Sequence, residues 1–124
     1  MRATIRRLHS PDIDDLVRYR PTEPDCFGFL LQILAGPENS PGEESFDVLV
    51  CSPRWIAETH SPDDIIEGRH LLILLEYDFD RLERFLHMRI AEASGESWED
   101  VAEKLSRFGR WEFENYGSSS SHRT

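Results

Sequence analysis

The chain has 124 residues and a formal net charge of −10, from 24 acidic against 14 basic side chains. That length suits one domain with one hydrophobic core, and 39% hydrophobic with 10% aromatic residues points to a folded chain rather than a disordered one. The charge excludes nonspecific binding to nucleic-acid phosphates, which needs Lys and Arg to neutralise them, and suits a basic partner.

The N-terminus, Met1-Arg2-Ala3-Thr4-Ile5-Arg6-Arg7, is basic but no apolar h-region comes after it. No stretch approaches the roughly 20 apolar residues of a membrane span. A cytoplasmic protein is expected. Cys26 and Cys51 both lie in apolar runs and are expected as small buried thiols, with a disulfide between two strands as the alternative.

Arg2 to Leu8 alternates weakly, with Ala3, Ile5 and Arg7 on one side, and reads as a short edge strand guarded by its charges. Ser10-Pro11-Asp12 is a helix-opening device, with Ser10 as cap and Asp12 complementing the dipole, so a turn or two of helix is expected before the Pro21/Pro24 break. Phe27 to Ala35 predicts a strand. Phe27, Phe29, Leu31, Ile33 and Ala35 share one face, while Leu30 and Leu34 make the other partly apolar. Such a strand is covered on both sides, or covered once and placed in an interface.

Residues 36–44 form a loop by composition, giving an antiparallel hairpin with a long, acidic, mobile tip. Ser45 to Cys51 is the clearest strand, with Phe46, Val48 and Val50 on one face and Asp47, Leu49 and Cys51 on the other. Ser52-Pro53 stops it and opens a short helix that carries Trp55 and Ile56 to about His60. Ser61-Pro62-Asp63-Asp64 repeats the capping pattern. His70 to Tyr77, with five consecutive aliphatic residues, is expected as a strand. Asp78 to Ser94 is the strongest helix, with Phe79, Leu82, Leu86, Ile90 and Ala93 on one face and Gly95 as its stop. A further helix starts at the Ser97 cap, buries Trp98, Val101, Ala102, Leu105 and Phe108, and ends at Gly109. Arg110 to Tyr116 alternates again as a last strand. Residues 117–124, with four consecutive serines, read as a disordered tail after a domain at 1–116.

The sum is an α+β fold: an antiparallel sheet of four to five strands with helices packed on one face.

The chain carries no nucleophile elbow, phosphate loop or dinucleotide fingerprint. Its five histidines lack metal-ligand spacing, so neither metal nor cofactor is expected. Carboxylate clusters such as Asp12/Asp14/Asp15 and Asp63/Asp64/Glu67 sit where helix starts attract acids, and no calcium-loop pattern is present. Shape and charge remain. Glu38, Glu43, Glu44 and Asp47 gather around the hairpin, and Glu112 and Glu114 follow Trp111, the tryptophan best placed for partial exposure. These seven residues are the expected contact set for a protein partner.

Several stretches together resemble the immunity protein 8 family: L-H-S-P-D-I-D-D-L (Leu8–Leu16), F-G-F-L-L-Q (Phe27–Gln32), G-E-E-S-F-D-V-L-V-C-S-P-R-W (Gly42–Trp55), R-H-L-L-I-L (Arg69–Leu74) and G-E-S-W-E-D-V…G-R-W-E-F (Gly95–Phe113). The resemblance implies a small bacterial immunity protein that binds a cognate toxin domain of a polymorphic toxin system and neutralises it without catalysis. It carries over no catalytic residue and no interface residue. Many toxin domains are nucleases with basic clefts, to which an acidic inhibitor would be steered. The readings set beside it are a small carboxylate-dependent hydrolase, which needs two acids facing each other in a cleft, and a regulatory or scaffold module of a larger assembly.

Overall fold

The computed structural model describes residues 1–112. Its centre is the hairpin of β2 (Gly28–Pro37) and β3 (Glu44–Cys51), paired antiparallel from Gly28↔Cys51 to Ala35↔Glu44. The alternation of both strands sorts their side chains by face. Phe29, Leu31, Ile33 and Ala35 of β2 and Phe46, Val48 and Val50 of β3 all point to one side, where they are fully buried. Leu82, Leu86 and Ile90 of helix α2 (Phe79–Ala91) and Val101, Ala102 and Leu105 of α3 (Trp98–Leu105) close that side. The fold is α+β, with α2 and α3 on one face of the sheet.

Strand β1 (Ala3–His9) pairs antiparallel with β2 as one edge. A bulge between Ile5 and Arg7 shifts the register, so Ile5 opposes Ala35 and Leu8 opposes Ile33 on the core side. The expected grouping of Arg7 with Ala3 and Ile5 is therefore corrected. The extra residue, Arg6, flips the alternation after it.

Two connections differ from a purely antiparallel plan. After β3, helix α1 (Pro53–Thr59) carries the chain back, and β4 (Leu71–Ile73) pairs parallel to β3 at Leu49↔Leu71 and Cys51↔Ile73. A strand–helix–strand crossover is the connection parallel neighbours require, and it makes the sheet mixed. β4 also stops after three residues, where a longer strand to Tyr77 was expected. The last strand, β5 (Arg110–Trp111), pairs antiparallel with Phe46 and Asp47 further along the same edge of β3. Glu112 already lies in a turn, and residues 113–116 of its expected span, with the tail after them, lie outside the described residues.

Ser52 fixes the turn from β3 into α1. Its hydroxyl accepts from Trp55 N as the helix cap and from Phe27 N, while its own N–H donates to Phe27 O at 3.0 Å. The buried hydroxyl thus satisfies two donors at once. Trp55 is then laid over Gly28: a Cβ on Gly28 would stand 2.2 Å from the indole. Ser10 does not open a helix. The segment makes one turn, closed by Tyr19 N donating to Asp15 O, and the Asp12 carboxylate instead accepts from Leu30 N, 2.8 Å away, beyond the end of β1. A free strand donor draws the acid more strongly than a helix start that never forms. α2 ends at Ala91, before Gly95. Gly95 serves close approach, since its Cβ would meet Asp100 at 2.6 Å. Both thiols are free, Cys51 buried and Cys26 half-buried.

Candidate functional site

The second face of the sheet, opposite α2 and α3, is only half-buried along its middle. Strand pairing lines its residues up in rows. His9, Gln32, Asp47 and Arg110 form a polar row across β1, β2, β3 and β5, while Leu30, Leu49 and Leu71 form an apolar row across β2, β3 and β4. Of the two coverings that the leucines of β2 left open, full cover on both sides is not what the described residues make: Leu30 and Leu34 stay half-buried. Among the described residues one end is closed, where Trp55 sits over Gly28 and Cys51 is fully buried.

The hairpin loop beside this face is tied down and is not the free tip expected. The Arg6 guanidinium donates to the carbonyls of Pro37 and Ser40, each at 2.6 Å, and to Gly42 O at 3.3 Å. Arg6, the bulged residue, thereby joins the edge strand to the loop. Arg7, on the open face opposite Leu34, pairs with Glu43 at 3.0 Å.

The seven expected contact residues separate into groups. Asp47 lies in the polar row, its carboxylate accepting from Ser45 Oγ at 2.5 Å. Glu43 lies at the rim of the same face, and Glu38 is exposed on the loop. Glu44 turns the other way. It opposes Ala35 on the core side, and its carboxylate accepts from the indole N–H groups of both Trp98 and Trp111. Trp111 stacks on Phe46, with centroids 6.2 Å apart and planes 19° from parallel, so it closes the end of the core. Glu112 is exposed, and Glu114 lies outside the described residues. Leu30, Leu49, Gln32, His9 and Arg110 were not expected as surface residues. The alternation in β2 and β3 carried part of that signal, but their alignment depends on the register between strands.

The densest carboxylate group elsewhere is a different kind of structure. Glu23, Asp25 and Glu58 converge on Arg54 at 2.5, 2.9 and 2.6 Å. Their hydrogen bonds, Glu58 first, make the guanidinium still harder to deprotonate. The cluster fastens α1 to the turn at 23–26, and beside it burial, followed by the charge of Glu58, pushes the Cys26 thiol up. Among the described residues no helix is long and apolar enough to cross a membrane.

The chain matches the Immunity protein 8 family over residues 3–116. It belongs to that family. The match covers every strand and helix described above, and membership makes the chain an immunity protein against a toxin. No curated protein and no solved structure matches it.

Proposed function

We propose that this immunity protein neutralises a cognate bacterial toxin domain by non-covalent binding, with the open sheet face and its acidic rim as the contact surface. The observation that carries the reading is the open face itself. An apolar row, Leu30–Leu49–Leu71, runs beside a polar row containing Asp47, with Glu43 at the border. A dry apolar centre within a charged border is how stable interfaces are built. The net charge of −10 favours a toxin domain with a basic surface, of which a nuclease cleft is the leading class. The chain would act in the cytoplasm, before the toxin reaches its substrate.

The hydrolase alternative draws no support from the carboxylates around Arg54. The group that comes together does so on Arg54, as ion pairs, rather than as an acid and a base facing across a cleft. Co-expression with the toxin domain encoded beside this chain tests the proposal. Growth rescue together with a complex on gel filtration is expected; absence of both would overturn it.

A further inference from the structure

The two outer edges of the sheet are built in opposite ways. β1 has a bulge and carries Arg6, Arg7 and His9, which are the devices that discourage pairing with another strand. β4 has none of them. Residues 71–75 read Leu-Leu-Ile-Leu-Leu, without a charge, a proline or a bulge, and Ile73 and Leu75 are 52% and 75% exposed.

The backbone of β4 is partly unused. Leu49 N donates to His70 O, and Leu74 N donates to Cys51 O. In a parallel ladder this alternation turns the peptide groups of Ile73 to the other side, where no strand pairs with β4 among the described residues. Below that edge runs a groove of about 410 Å³ between β4 and α2, lined by Leu72, Leu74, Leu82, Phe85 and Arg81. Met88, 54% exposed, stands one turn beyond Phe85 and extends the apolar margin.

An open strand edge above an apolar groove is the arrangement used for strand addition. Main-chain hydrogen bonds hold the incoming segment, and the groove takes its alternate side chains. Charge decides between occupants. Residues 61–84, the stretch of chain that carries β4 and the first turns of α2, hold seven carboxylates against three arginines. A second copy would bring the same acidic surroundings against its own, whereas a basic partner would be attracted.

We propose that β4 accepts an extended segment of the toxin domain as an added strand, with aliphatic residues at alternate positions filling the β4–α2 groove and Lys or Arg beside them. This rests on the toxin-binding reading and assigns it a second, main-chain point of attachment.

The test uses the full chain and the toxin domain encoded beside it, inactivated at its active site. Ile73→Pro removes the outward N–H, which an edge position tolerates, and Phe85→Glu places a charge in the groove. Thermal melts check that both variants fold. Each variant is expected to weaken binding at least tenfold, and the Ile73 amide is expected to exchange quickly in the free chain and slowly in the complex. Wild-type binding that is undiminished in Ile73→Pro, with Ile73 still exchanging quickly, would overturn strand addition while leaving toxin neutralisation standing. Failure of the wild type to bind would overturn both. A wild-type dimer in sedimentation that Ile73→Pro dissociates would make the occupant a second copy, contrary to the proposal.

Discussion

The Glu44 carboxylate accepts a hydrogen bond from the indole N–H of Trp111 at 2.9 Å, while its other oxygen accepts from Trp98. One acid on β3 thus joins β5 to the start of α3 and closes the core over Phe46. Removing a charged acceptor from two partly buried donors costs on the order of 2 kcal/mol. Glu44→Ala is expected to lower the urea midpoint by a corresponding amount while leaving the toxin association rate close to wild type. An association rate reduced as much as in a rim variant would put Glu44 in the contact surface instead.

The rim should behave in the reverse manner. Glu43→Lys and Asp47→Lys are expected to slow association with a basic toxin domain and to flatten its dependence on ionic strength, because rim charges act mainly on the encounter rate. Stopped-flow measurements at two salt concentrations read this directly. Unchanged rates at low salt would remove the hairpin side of the open face from the docking surface.

Gly28 and Trp55 make a packing prediction. A methyl group at Gly28 would stand 2.2 Å from the indole, so Gly28→Ala has to displace Trp55 and with it the first turn of α1. Overpacking of this kind costs about 1–3 kcal/mol. In the background Trp55→Ala the same substitution should cost much less, and a double-mutant cycle in urea measures the coupling. Additive effects would show that the close approach is relieved elsewhere.

Tyr77 supplies a pH dependence. Its ring packs against Phe27, Phe29 and Tyr19, and burial, followed by the charge of Tyr19, pushes its phenol up to about 12 from the usual 10. The folded state therefore holds the proton more tightly than the unfolded chain. The stability linked to this proton is fully present below pH 10 and is lost as pH rises from 10 towards 12. Urea midpoints in Tyr77→Phe should decline less over that window than in the wild type, and equal declines would contradict the assignment.

Features set by neighbouring residues were legible before the structure. The alternation of Phe46, Val48 and Val50, the Ser52-Pro53 cap, the Ser97 cap and the apolar stripe of α2 all appear as read. Features that depended on distant partners were not. The parallel direction of β4 comes from α1 crossing back to β3, and the Arg6 bulge comes from pairing with β2. The same division runs through the contact residues. Asp47 could be placed on the outer face from its position in β3, but Glu44 was out of reach because its indole partners lie 54 and 67 residues away.

The proposed function has the open face bind a toxin domain and silence it. The most direct measurement is titration of that domain's activity with this chain, with footprinting of the complex. Stoichiometric, reversible loss of activity is expected, with Leu30, Leu49 and Asp47 protected in the complex. Undiminished activity at saturating chain, or protection confined to the α2–α3 side, would contradict it.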